Sequence, residues 1–256
     1  MFMAGLAKEK KYSEIDEFLR MAQDAIQKEK YSSFPVVAAP YGMTLGGGCE
    51  VCLGADRIVA HAELYMGLVE IGVGLLPAGG GCKNLWKRAV ANIPANVTDI
   101  DLAKFFIPTF MSIATAKVSM SAAEARANGF LGPNDRIVFN RDLLIGEAKK
   151  EVLRMADQGY APPVKRPLKV LGAAAEGMVN GEIFNMLSAG YVTAHDAFLA
   201  RRIATVIAGG DVRTNSEVDE EVILRLERAA FVDFLKEEKT LARIEHMLKT
   251  GKPLRN

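Results

Sequence analysis

Leu45-Gly46-Gly47-Gly48-Cys49-Glu50, followed by Glu70 and then by Pro77-Ala78-Gly79-Gly80-Gly81, is the stretch that decides the fold. Three consecutive glycines before an apolar run permit backbone conformations closed to other residues. They also leave N–H groups free at the positive end of a helix dipole. Such a turn can hold a phosphate or a thioester oxygen, and a plain tight strand-to-helix turn would use the same residues. No Gly-Lys-Ser/Thr follows, so this is not a Walker loop. The Gly-x-Gly-x-x-Gly spacing and the ribose-binding acid of a dinucleotide fold are also missing.

The two glutamates give the turn its chemical interest. A lone Glu at a helix start commonly serves the helix dipole, but both acids here sit in apolar, Gly-rich surroundings. Val69-Glu70-Ile71-Gly72-Val73 reads as a strand-like run with one acid inside it. Cys49, Val51, Cys52 and Leu53 flank Glu50. Burial raises a carboxyl pKa toward the range where it can exchange protons near neutrality. Two such acids beside free N–H groups suit chemistry on a carbonyl next to a double bond, which needs an oxyanion donor and two proton-handling groups.

Outward from this stretch, residues 34–39 and 57–60 read as short buried strands, and 136–139 as another. Helical spacing predicts a helix opening at Ser13 and Asp16 in a capping-box-like start, one beginning at Glu50, and one near 84–88. Ser121-Ala122-Ala123-Glu124 opens a short helix that stops near Gly129, and 141–158 is amphipathic. The stretch 92–111 has no clear period. After Pro162-Pro163 come helices at 173–190, 194–208, 216–235 and 238–249. The pattern predicts an α/β front part, residues 1–160, and an all-helical part, residues 161–256.

Composition narrows the function classes. The chain has 256 residues, half of them apolar, with a net charge of +1, so no polyelectrolyte attraction to nucleic acid or anionic membrane is expected. Apolar runs are broken well short of a membrane span, and the early Lys8 argues against a signal peptide. The three cysteines fit a reducing compartment, so a cytoplasmic protein is expected. Cys49 and Cys52 form a C-x-x-C with Cys82 farther on, but no histidine (His61, His195, His246) lies at metal-ligand spacing. These thiols read as core residues. Lys165, Arg166, Lys169, Arg201 and Arg202 read as a solvated face.

The segment from Pro35 to Gly81 resembles the enoyl-CoA hydratase/isomerase (crotonase) superfamily. The residues that carry the resemblance are Pro35-Val36-Val37-Ala38-Ala39, Leu45 to Glu50, Ala55-Asp56-Arg57, and Glu70 ahead of Leu76 to Gly81. A weaker match runs from Ser119 to Gly129. Softer matches at 159–163, 209–212 and 251–256 resemble the hydratase part of bacterial 3-hydroxyacyl-CoA dehydrogenase fusions.

The resemblance implies an α/β crotonase-like fold with a ββα-type core lacking its first strands, followed by a helical region of the kind that packs subunits together. It implies Gly47 N–H as an oxyanion donor, Glu50 and Glu70 as the acid–base pair, and Gly46, Gly48, Pro77 and Gly79 around the substrate. The substrate would be a 2-enoyl-CoA thioester of fatty-acid β-oxidation, hydrated without a metal or redox cofactor. The partners would be a second copy of the chain or a dehydrogenase component. A second oxyanion donor in the family comes from a Gly-Ala-Asp/Asn-like turn, which the alignment puts just upstream of Met1, with Ala4-Gly5-Leu6 as a candidate stand-in. Three other readings remain open: a non-catalytic fragment, a module that holds acyl-CoA without turning it over, and the dehydrogenase activity of the parent family, which needs a nucleotide-binding domain that the sequence does not show.

Overall fold

The computed structural model describes residues 2–94, 96, 97 and 99–256. Met1, and Ala95 and Thr98 within the aperiodic 92–111 stretch, lie outside the described residues. The chain opens with helix α1 (Phe2–Lys8) and the longer α2 (Tyr12–Lys30). The expected capping box at Ser13 does not form. α2 starts one residue earlier, after Lys11 and with no side-chain cap. Asp16 instead accepts from Arg228 Nε at 3.3 Å, a partner invisible to local pattern.

Two small parallel sheets follow. Strands β1 (Val37–Ala38), β3 (Arg57–His61) and β5 (Arg136–Val138) form one, in the order β1-β3-β5. Val37 lies opposite Arg57 and Val59 opposite Arg136. Strands β2 (Gly42–Leu45) and β4 (Leu64–Gly67) form the other, with Thr44 opposite Met66. Ile58, Val59 and Ala60 are all buried, the continuous apolar run expected of a parallel strand covered on both faces. β1 is an outer strand, and Phe34, Met43 and Phe139 near the sheets are exposed.

β2 feeds helix α3 (Gly47–Gly54) through Gly46, whose φ of 55° lies in the left-handed region that favours glycine. The helix therefore starts at Gly47 rather than at Glu50, and Gly47 and Gly48 form its first turn. Its other end packs closely on α2: a Cβ on Gly54 would stand 2.6 Å from Ile26 Cγ2. Helices α4 (Gly81–Val90) and α5 (Ala103–Ala114) come next, the latter filling much of the aperiodic stretch. α6 (Ala122–Ala127) begins as expected, with Ser121 Oγ accepting from Glu124 N at 3.1 Å. α7 (Leu144–Asp157) follows a short 3-10 turn at Arg141–Leu143.

The C-terminal region comprises α8 (Ala174–Ser188), α9 (Ala194–Ile207), α10 (Glu220–Leu235) and α11 (Glu238–Thr250). It is not wholly helical. β6 (Leu168–Val170) and β7 (Ser216–Val218) pair antiparallel, so the helix expected over 216–235 begins only at Glu220. Two three-residue strands are too short to show a period of two.

One hydrophobic core runs through both parts of the chain, from Ile15, Leu64 and Trp86 to Leu199 and Phe234. Phe106 of α5 sits at its centre with no exposure, edge-on to Trp86 at 6.3 Å and stacked on Phe110 at 5.9 Å. Truncating a buried aromatic forfeits transfer energy and leaves a cavity. Phe106→Ala is expected to cost about 3–5 kcal/mol in urea unfolding, without changing the slope of the transition.

Candidate active site

Glu50 lies one turn into α3, facing inward, and is buried. Its Oε1 accepts two backbone hydrogen bonds at 2.8 Å each, from Gly79 N and from Gly81 N. Glycine is required at both donors because the carboxyl comes so close. A Cβ on Gly79 would meet Glu50 Oε2 at 2.8 Å, and one on Gly81 would meet Oε1 at 2.8 Å and Pro77 Cβ at 2.6 Å. Pro77-Ala78-Gly79-Gly80-Gly81 is thus the bed of the Glu50 carboxyl. The Gly79 N–H is bonded to Glu50, and Pro77 is buried.

Glu70 opens a 3-10 helix, Glu70–Val73, rather than lying in a strand. Gly74 ends that turn at φ 78°, and its carbonyl accepts from Thr240 Oγ1 of α11 at 3.0 Å. The Glu70 carboxyl reaches back toward the glycine turn, where a Cβ on Gly46 would stand 3.1 Å from Glu70 Oε1. Glu70 Oε2 is buried with no hydrogen-bond partner among the described residues. A buried polar oxygen without a partner is rare away from sites that exchange protons or bind a molecule.

Burial pushes both carboxyls up, Glu50 to about 7 and Glu70 to about 8. The two N–H groups of Gly79 and Gly81 oppose the rise at Glu50. At Glu70 the charge of Glu50 adds to it, while its own backbone N–H and that of Val69 oppose it. Gly47 and Gly48 are exposed. As the first residues of α3, their N–H groups have no carbonyl one turn back within the helix, and a Cβ on either would meet nothing within 4 Å. The Gly46 N–H is bonded to Gly67 O at 2.9 Å. The structure thus brings Gly46 against Glu70, with Gly47, Gly48 and Glu50 on the helix that follows Gly46.

This is a crotonase-like fold. Residues 1–98 match the enoyl-CoA hydratase/isomerase family. An enoyl-CoA hydratase from Mycobacterium avium subsp. paratuberculosis superposes with a TM-score of 0.56 at 18% identity, over 94% of this chain and 73% of that one. The Bacillus subtilis protein described as "Probable 3-hydroxyacyl-CoA dehydrogenase" is 46% identical over 247 residues, 96% of this chain. A fatty acid oxidation complex subunit alpha from Shewanella frigidimarina is 28% identical over 171 residues, 58% of this chain. The matches cover only 30% and 24% of the lengths of these two relatives.

Ala4-Gly5-Leu6 does not supply a second turn. It lies inside α1, where the Gly5 carbonyl accepts from Glu9 N at 3.2 Å, and α1 packs on α2 with Phe2 5.4 Å from Phe18. Cys49, Cys52 and Cys82 are free and buried. Burial pushes all three thiols up, Cys52 to about 12, which disfavours the reactive thiolate. No group of three metal-ligating side chains occurs among the described residues, and no helix there is long and apolar enough to cross a membrane. A cavity of about 410 Å³ borders Ile71 and Gly72, next to Glu70, and is lined by Phe110, Met111, Ile183 and Met186. Its helices are far apart in sequence, so only the fold assembles it.

The raised Glu50 carboxyl has a stability consequence. A carboxyl held above its unfolded value keeps its proton longer in the folded state, so its neutral form favours folding and stability falls as pH rises from about 4.5 through 7. Gln at this position keeps an oxygen for Gly79 and Gly81 and removes the charge. Glu50→Gln is expected to match the native chain near pH 4.5 and to exceed it by roughly 3 kcal/mol at pH 8. Urea unfolding at the two pH values measures the difference.

Proposed function

We propose that this site hydrates the double bond of a 2-enoyl-CoA thioester. The observation that carries the reading is the buried Glu50 carboxyl on the helix that begins at Gly47, together with the half-buried Glu70, whose Oε2 is buried and unpartnered. The roles follow from the surroundings. Glu50, whose charged form is favoured by two N–H donors, takes a proton from water. Glu70, whose Oε2 has no donor and whose neutral form is favoured by burial and by Glu50, keeps a proton to give.

Water oxygen then bonds to Cβ, and the Cα=Cβ electron pair moves toward the thioester carbonyl. The resulting enolate oxygen accepts from Gly47 N–H, and Cα takes the Glu70 proton as the carbonyl reforms. One such backbone donor is worth ~3 kcal/mol of barrier. Written this way the reaction balances with neither metal nor redox cofactor. The cavity beside Ile71, where Phe110, Met111, Ile183 and Met186 line it together with Glu182, Asp196, Arg243 and Arg255, supports a substrate with both an apolar and a polar part. A place in fatty-acid β-oxidation, and a partner that is a second copy or a dehydrogenase component, belong to the same proposal.

A second reading is favoured by one observation: the helical Ala4-Gly5-Leu6 gives no second oxyanion turn. On that reading the chain holds acyl-CoA without turning it over. Loss of the crotonyl-CoA double bond, followed by its absorbance, separates the two. Turnover should fall by about 10²–10⁴-fold in Glu50→Gln and in Glu70→Gln. Saturable acyl-CoA binding with no turnover in the native chain would leave the second reading in place.

A further inference from the structure

Glu70 opens a 3-10 turn whose far end is held from a distant part of the chain. Leu75 N donates to Glu70 O at 3.1 Å and Gly74 N to Ile71 O at 2.9 Å, so the end of the turn is tied to Glu70 through the backbone. Gly74 O accepts from Thr240 Oγ1, 166 residues away in sequence, at 3.0 Å. A Cβ on Gly74 would stand 3.0 Å from that hydroxyl and 3.2 Å from Arg243 Cδ, so α11 lies directly against the turn. The N–H groups that favour the charged form of Glu70, its own and that of Val69, belong to the same segment. With no donor on Oε2, the carboxyl depends for its place on the backbone that carries it.

Thr240 is buried, and its single hydroxyl proton has one destination. Gly74 O can only accept, so Thr240 Oγ1 donates there and accepts from its other neighbour, His195 Nε2, at 3.0 Å. His195 therefore carries a proton on Nε2. Burial lowers the pKa of this buried ring, Arg243 and Lys239 of α11 lower it further, and Asp196 opposes them. The ring is thus neutral near neutral pH, as the Nε2–H tautomer. The next residue of α9 makes a second tie to α11. Asp196 Oδ1 accepts from Arg243 Nη2 at 2.8 Å, and its Oδ2 from Thr193 N at 3.0 Å in the capping box that opens α9. The first turn of α9 holds α11 at two points, and α11 holds Gly74.

We infer that Thr240, oriented by His195, is a positioning residue for Glu70: the donor chain from His195 Nε2 through Thr240 Oγ1 to Gly74 O fixes the turn that keeps the Glu70 carboxyl against Gly46. The inference rests on the hydratase reading of Glu70. Thr240→Val keeps the branched shape and removes the hydroxyl, which frees the turn. Thr240→Ser keeps the hydroxyl.

Carboxyl-carbon NMR titration of Glu70, run beside crotonyl-CoA kinetics, tests this. In Thr240→Val the Glu70 midpoint should fall from about 8 toward the ordinary carboxylate range by roughly one pH unit, as water reaches the loosened carboxyl. Its kcat should fall roughly 10–10²-fold with KM little changed. Thr240→Ser should keep both near native. A native Glu70 midpoint in a folded Thr240→Val protein overturns the inference, and so does a Thr240→Ser midpoint displaced as far as that of Thr240→Val. A native His195 found by nitrogen-15 NMR as the Nδ1–H tautomer also overturns it, a measurement that needs no variant. A native chain without turnover whose Thr240→Val midpoint still shifts would sink the hydratase reading alone; turnover with an unmoved midpoint would sink only the role of Thr240.

Discussion

The double hydrogen bond from Gly79 and Gly81 to Glu50 Oε1 is the constraint on which the rest of the site depends. It joins the first turn of α3 to the first turn of α4, so the helix that offers Gly47 N–H and the acid beneath it cannot move independently. It also decides what Glu50 can be. A buried carboxyl without donors would stay neutral, and one with strong ionic partners would stay charged. Two neutral N–H groups inside an apolar shell leave it between those limits, where a base for a neutral-pH reaction belongs.

Glu70 is built on the opposite plan. Its turn is clamped from behind by Thr240 on Gly74, and Thr240 in turn lies 3.0 Å from His195 Nε2 of α9. The backbone is held while Oε2 of the carboxyl has no donor. Proximity to Glu50 then makes it costly for both acids to be charged at once, so a proton is retained in the pair. Two residues of one chemical type thus sit in different surroundings, Glu50 with two N–H donors on one oxygen and Glu70 with a bare oxygen and the charge of Glu50 beside it. The C-terminal helices take part in this arrangement: α11 secures the turn of Glu70, and Glu227 of α10 accepts from Lys83 N at the start of α4.

The local parts of this site were legible in the sequence. Three glycines before Glu50, a second acid in an apolar run and a second glycine cluster are all chain-adjacent signals, and the short β-branched runs at 37–38 and 57–61 read as strands for the same reason. What escaped detection is assembled at long range. Lys83 and Glu227 are 144 residues apart, and His195 and Thr240 are 45 apart. In sequence each is an ordinary polar residue on a helix. The conformation of 70–73 was misread because apolar flanks mark burial in a 3-10 turn as well as in a strand. The β6–β7 ribbon was missed because three residues give no periodicity to read.

The 3.1 Å between a would-be Cβ at Gly46 and Glu70 Oε1 has a consequence for how such chains can drift. A side chain at position 46 would have to displace the carboxyl of Glu70, and the left-handed backbone at Gly46 imposes a separate cost on any replacement. The two positions are coupled although helix α3 and strands β3 and β4 lie between them in sequence. A descendant that shortens or discards the acid at 70 relieves the steric half of the restriction at 46. Paired change at 46 and 70 would then be the visible trace of a lineage leaving this chemistry.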